Sequence, residues 1–249
     1  MSELATLQTA GPVARLTINR PEQRNALSLD LLDALHAQVD HIAADPSIHV
    51  VVLTGAGRAF CAGMDLKQVL GNADTSSQLL HRLGDLTFKL RALPAVTLAV
   101  VNGPAIGGGC GLVTVCDLSI SFVDNKMGFP EVDLGVCPAV VAPWLVRKVG
   151  PGMARYILLS GGLMSGKEAF DRGILTQLVP TATDLEPGAE QLITRLSTGA
   201  PAALRATKSL LNELDGSTDR AILDRAASLS AEVLNTPATQ AMLKRKLGA

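Results

Sequence analysis

Residues 94–116, reading PAVTLAVVNGPAIGGGCGLVTVC, carry no charged side chain. That window restricts the chain to two kinds of structure. An uncharged apolar run of this length is either a membrane span or a stretch buried in a globular core. Asn102, two prolines and five glycines within it argue against the span. It reads instead as a buried strand, Ala95–Val101, and a turn at Asn102-Gly103-Pro104. An apolar helix follows, opened by Gly107, Gly108 and Gly109 and stopping at Cys116-Asp117. Glycines at a helix start leave backbone N–H groups approachable, and the helix dipole adds positive character there. Such a place holds an oxyanion. Beyond Asp117, Glu131 stands behind Phe129-Pro130 in otherwise apolar sequence. A backbone that stabilises an anion and one sheltered carboxylate are the minimum for chemistry beside a carbonyl.

The same rhythm runs through the first two-thirds of the chain. Leu4–Gln8 and Val13–Asn19 read as strands about the turn Ala10-Gly11-Pro12. Ser28 can cap a helix on which Leu32, Leu35, Val39 and Ile42 recur at helical spacing. His36 and His41 fall off that stripe and are expected at the solvated surface. Val50–Leu53 and Leu118–Ser121 read as further buried strands, with an amphipathic helix over about 75–92. Strand and helix in alternation imply right-handed crossovers and a largely parallel sheet. Hydrophobic residues make up 47% of the 249 but aromatics only 3%, so Ala, Val and Leu must fill the core. From Ala139 onward the pattern is helical, except for a short strand near Gln177–Val179. Thr198 and Pro201 are expected to begin one helix. Thr218 begins another, with Ile222, Ala226, Leu229 and Val233 on one face. A last short helix starts near Pro237 and ends in Lys244-Arg245-Lys246. These helices have no sheet of their own and must pack on the core or on another subunit.

Several classes of function find no support. A net charge of −1 does not suit a dedicated nucleic-acid binder. The four cysteines form no CxxC pair and no zinc-like cluster with histidine, so they read as reduced small hydrophobes and no metal site is expected. The N-terminus lacks a basic start and an apolar run, so a cytoplasmic location, off the membrane, is expected. Gly55-Ala56-Gly57 follows a strand without completing GxGxxG, and neither a P-loop nor GxSxG is present. Asp117 reads as structural, Asp65 as a residue that orders its loop. Asp133, on an extended segment, would share the face of Glu131.

Several motifs then occur in order. They are Asn19-Arg20-Pro21-Glu22-Gln23-Arg24-Asn25-Ala26-Leu27, Phe60-Cys61-Ala62-Gly63-Met64-Asp65-Leu66-Lys67, and Asn102 through Gly109. Cys116-Asp117 and Pro130-Glu131 with Gly135 complete them. With these motifs the chain resembles the enoyl-CoA hydratase/isomerase, or crotonase, superfamily over nearly its whole length. The resemblance implies an α/β fold, a ββα spiral core with a C-terminal helical trimerisation region. Residues 1–195 would form the core with the CoA-thioester site, and residues 196–249 the oligomerisation region of a homotrimer or hexamer. The substrate would be an acyl thioester of coenzyme A, with no separate cofactor. By motif, the backbone N–H groups of Met64 and Gly108 would cradle the thioester oxygen. Ala62 and its neighbours would line the adenine pocket, and Ala26, Asp65 and Leu66 are carried over as substrate-contacting positions. Arg24 and Lys67 would meet the CoA phosphates.

One position departs from the pattern. Two-carboxylate hydratases of this family place a glutamate two residues after the third glycine, and this chain has Gly111 there. The family's second glutamate is present as Glu131. Gly111 could admit a larger acyl group or an extra water. Three readings follow. One is a hydratase in which Glu131 alone moves both protons. Members acting on branched or carboxylated enoyl-CoAs look similar here, including the stretch Pro138-Ala139-Val140-Val141-Ala142-Pro143. The second is a Δ3,Δ2-enoyl-CoA isomerase, for which one glutamate suffices. The third is an acyl-CoA-binding member with little catalysis. A dienoyl-CoA isomerase would want an acid at 111 and an aspartate near 139, where this chain has Gly111 and Ala139.

Overall fold

The computed structural model describes residues 3–248. Strands β1 (Ala5–Ala10) and β2 (Val13–Ile18) pair antiparallel. Ala14, Leu16 and Ile18 point inward at alternate positions of β2, as the two-residue repeat of a strand requires. Helix α1 (Leu29–Ala44) starts where expected, with Ser28 Oγ accepting the Leu31 N–H at 3.2 Å. Then come β3 (Val50–Gly55), a single turn α2 (Leu66–Val69), the long α3 (Ala73–Ala92) and β4 (Val96–Val100). The glycine-opened segment contributes β5 (Ala105–Ile106) and α4 (Gly108–Val115), followed by β6 (Leu118–Phe122) and β7 (Lys126–Gly128). Helix α5 (Ala142–Ser160) has two halves that meet at Gly150. After it lie β8 (Leu163–Ser165), α6 (Gly166–Asp171), β9 (Gln177–Val179) and α7 (Leu185–Ser197). Three helices close the chain: α8 (Pro201–Leu214), α9 (Arg220–Leu234) and α10 (Pro237–Leu247).

The main sheet runs β1-β2-β3-β4-β6-β9, parallel in every pair after the first hairpin. Both of its faces are covered. Val51, Leu53 and Ala99 point to the side of α1, α3 and α4, whereas Val50, Val52, Leu98 and Ile120 pack with Leu185, Ala189 and Ile193 of α7. Burial on both sides is why these strands read as continuous apolar runs. Asn102 ties the ends of β3 and β4, donating to Gly55 O at 2.8 Å and accepting the Gly55 N–H at 3.1 Å. The loops that follow both strands therefore leave from one edge.

The structure corrects several sequence expectations. His36 is buried, its ring Nε2 2.9 Å from the Arg82 carbonyl. Helix α1 packs on α3 as well as on the sheet, so its buried arc is wider than one stripe. A second sheet, β5-β7-β8, has strands of two or three residues, too short to show periodicity. Thr198 closes α7, and the next helix is capped at Ala200 with Pro201 in its first turn. Helix α9 is capped by Asp219, not Thr218, and turns a different face inward. Leu223, Ala227, Ser230, Ala231 and Leu234 are buried, while Ile222 and Leu229 remain 46% and 44% exposed. Only Ala226 belongs to both stripes. Small residues let α9 lie close on α3, whose Gly84 faces Ala227. Asp117 is structural as expected. It accepts from the Thr97 N–H and Oγ1, from Arg91 and from Lys208, at 2.8–3.2 Å. Among the described residues, no helix is long and apolar enough to cross a membrane.

Candidate active site

The loop after β3 is built around a buried amide. Asn25 Nδ2 donates to the carbonyls of Ala56, Ala59 and Phe60 at 2.8–3.2 Å, and its Oδ1 accepts the Arg20 N–H at 2.9 Å. Asn25 has φ 58°, a left-handed conformation that asparagine tolerates better than most residues. The motif that contains Asn25 assigns it no role; only the fold shows how many main-chain groups it holds.

Two isolated bridges then stitch the loop to its neighbours. The Leu27 N–H donates to Gly63 O at 2.8 Å, and the Asp65 N–H to Leu27 O at 2.9 Å. Gly63 and Asp65 thus face Leu27, and strand alternation turns the Met64 N–H the other way. The second bridge joins Cys61 to Ala105, with the Ile106 N–H donating to Cys61 O at 3.0 Å. These pairings bring the 61–64 loop against the start of α4. A Cβ placed on Gly63 would lie 3.6 Å from Gly108 N. The first helical bond of α4 is Gly111 N–H to Gly107 O, so Gly108 opens the helix with an unspent donor. Among the described residues, neither the Met64 nor the Gly108 N–H has an acceptor.

Gly107 joins the two sides of the site. Its φ of 53° and ψ of −120° suit only glycine, and a Cβ there would stand 2.9 Å from Glu131 Oε1. Glu131 begins a 3-10 turn, Val132–Leu134, and its carbonyl accepts the N–H groups of Leu134 and Val136 at 2.9 and 2.8 Å. Its Oε2 is buried and, among the described residues, has no hydrogen-bond partner. Burial pushes the carboxyl pKa up to about 7, against a smaller opposing pull from its own backbone N–H. Because this segment is a turn and not extended, Asp133 leaves the face of Glu131. It accepts the Gly162 N–H at 2.9 Å.

Around these groups lies a cleft of about 610 Å³, open mouth included. Ala62, Met64, Leu66, Gly108 and Glu131 line it, with Leu80 and Leu83 of α3 and Val136, Val140 and Val141 opposite. Ser230 of α9 reaches its edge, its Oγ donating to Cys137 O at 2.9 Å and accepting the Ala139 N–H at 3.2 Å. Helix α10 holds the same loop, Thr239 Oγ1 donating to Gly135 O at 2.8 Å. The C-terminal helices therefore support the site within the subunit.

The other expected site residues lie apart from this lining. Gly111 is buried and does not face the cleft. A Cβ on it would run into Val141 Cγ1 and sit 3.1 Å from Val141 Cβ. The space left by the missing carboxylate is therefore filled by an isopropyl group, not by acyl chain or water. Asp65 pairs with Arg20 at 2.9 Å, and the same Arg20 nitrogen donates to Ala26 O at 3.0 Å. Both residues thus shape the loop from behind. Arg24 and Lys67 are exposed, outside the lining.

Comparison with known proteins places the chain in a family. The family model described as enoyl-CoA hydratase/isomerase matches residues 8–246. A 2,3-dehydroadipyl-CoA hydratase of Escherichia coli is 35% identical over 202 residues, covering 81% of this chain and 78% of its own. A crotonyl-CoA hydratase of Syntrophomonas wolfei is 34% identical over 229 residues, 91% of this chain and 86% of its own. Among solved structures, Pseudomonas aeruginosa AtuE superposes with a TM-score of 0.82 at 35% identity, covering 95% of this chain and 93% of its own.

Proposed function

The chain belongs to the enoyl-CoA hydratase/isomerase (crotonase) family, and from that we propose that it hydrates an enoyl-CoA with Glu131 as its single acid–base group. The N–H groups of Met64 and Gly108 serve as donors to the thioester oxygen. The observation that carries this reading is the Glu131 carboxyl, buried, unpartnered at Oε2 and seated in one cleft with two unspent main-chain donors.

The ionised carboxylate takes a proton from water as the hydroxyl adds to the carbon β to the thioester. The double-bond electrons move onto the thioester oxygen, where the two N–H groups meet the negative charge. Each such donor is worth roughly 3–4 kcal/mol at the transition state. Glu131, now protonated, gives the same proton to the α-carbon. One water is added and the carboxylate is regenerated. A pKa of about 7 suits a group that must both take and give a proton. Relatives differ in the tails their names record, crotonyl in one and 2,3-dehydroadipyl in another.

A second reading, Δ3,Δ2 isomerisation, is favoured by one feature. Among the described residues, Glu131 is the one acid that lines the cleft, and Val141 covers position 111, so no second side-chain acid stands ready to activate water. Mass separates the two: hydration of a 2-enoyl-CoA adds one water, whereas migration of a 3-enoyl double bond adds nothing. Glu131→Gln is expected to lower turnover about a hundred- to ten-thousand-fold in either case, with acyl-CoA binding retained. Unchanged turnover in that variant rejects the assignment of Glu131. Binding with no turnover of any enoyl-CoA by the unmodified protein would leave an acyl-CoA-binding role.

A further inference from the structure

We propose that the cleft selects thioesters with an uncharged acyl tail and rejects a chain that ends in a second carboxylate. This rests on the acyl-CoA reading above and deepens it.

The side chains available to a tail are mostly apolar, Leu66, Leu80, Leu83, Val136, Val140 and Val141 among them. Three polar side chains line the cleft besides, and none can receive an anion. The Ser230 hydroxyl is spent on Cys137 O and the Ala139 N–H. The Cys137 thiol is held protonated, its pKa raised chiefly by burial. Glu131 carries the same sign as the incoming carboxylate. Among the described residues, no lysine, arginine or histidine lines the cleft. Arg20, close behind the loop, is committed to Asp65 and the Ala26 carbonyl. Position 111 offers no escape, because Val141 closes it.

A carboxylate carried into such surroundings loses its water and gains no partner, a large penalty for a full charge. The neutral chain of equal shape instead gains from every apolar contact. The discrimination is therefore set by charge, through what the walls lack.

The test uses saturated thioesters, which bind without reacting. Adipoyl-CoA and 6-methylheptanoyl-CoA have tails of equal heavy-atom count, one ending in carboxylate and the other in an isopropyl group. Calorimetric titration at pH 8 is expected to show the charged tail at least about a hundredfold weaker. Dissociation constants within threefold of each other would overturn the proposal while leaving the acyl-CoA reading intact. If neither thioester binds better than coenzyme A alone, both fall together. Because this measurement needs no turnover, it stands apart from the choice between hydratase and isomerase.

Discussion

Met64 and Gly108 present main chain to the cleft, whereas Glu131, Val140 and Val141 present side chains, and the two walls are held differently. The main-chain wall is fixed by backbone pairing between loops. The Leu27–Met64 and Cys61–Ala105 bridges, with the Asn25 amide behind them, set the direction of each N–H. No side chain at 64 or 108 is needed to make a donor. The side-chain wall depends on elements far apart in sequence. Residues 135–141 are placed by Ser230 of α9 and Thr239 of α10, some hundred positions downstream. On the proposed function, a wall of amides serves any thioester, and a wall of side chains decides which thioester, and with which acid.

The sharpest way to break this division is to restore the absent acid. Gly111→Glu puts a side chain into Val141 and buries a carboxylate. Overpacking alone costs about 1–3 kcal/mol, and the buried charge adds to it. Thermal or urea unfolding is expected to show a loss of at least that size. In the double variant with Val141→Ala, part of the loss should return, giving a coupling of roughly 0.5–3 kcal/mol as for residues in direct contact. Strict additivity would mean that Val141 does not occupy the position-111 space in solution.

That pair also shows what the sequence could convey. The glycine triplet, the motifs around Met64 and the alternation of strand and helix all announce themselves locally, because each rests on backbone requirements of nearby residues. The parallel sheet was legible for that reason, and the motifs singled out Met64 and Gly108 without showing the bridges that bring their loops together. Gly111 was legible only as a departure. That Val141 fills its place is a contact thirty residues away, and a glycine read alone suggests room. His36 misled in the same way, since its carbonyl partner lies on α3. Two apolar stripes on α9 were equally compatible with helical spacing, and only packing against Gly84 chose between them. The strands β5, β7 and β8, two or three residues each, are too short to repeat an alternation.

A smaller effect concerns the acid that links the walls. The folded-state pKa of Glu131 is raised from 4.5 to about 7. Below pH 4.5 the carboxyl is protonated in both states and nothing is lost. Between 4.5 and 7 the unfolded chain releases a proton that the folded protein keeps, so stability falls as pH rises, by up to about 3 kcal/mol, and then levels off. Glu131→Gln removes the titration, so its stability relative to the parent should increase across that window. A pH-independent difference would show that the buried carboxyl is not strained by its surroundings. In the parent, kcat/KM should rise with pH through about 7, as the carboxylate forms.

The smallest effect belongs to the exposed cations outside both walls. Arg24 and Lys67 lie on the segments that carry Ala26 and Met64, exposed and outside the cleft lining, and the acyl-CoA reading proposed above assigns them to the phosphates of the ligand. Contacts of this kind with a phosphate are solvated and screened, worth about 0–1 kcal/mol each. Arg24→Ala and Lys67→Ala should therefore raise KM for a CoA thioester a few-fold, leave kcat unchanged, and lose their effect in high salt. The same variants should not alter KM for a substrate truncated to the pantetheine thioester, which lacks the nucleotide phosphates. A fall in kcat would place these cations nearer the chemistry and make the main-chain wall depend on side chains after all. An effect confined to KM, screened by salt and lost with the nucleotide, assigns them to the handle of the ligand, leaving the reacting end to amides and a single acid.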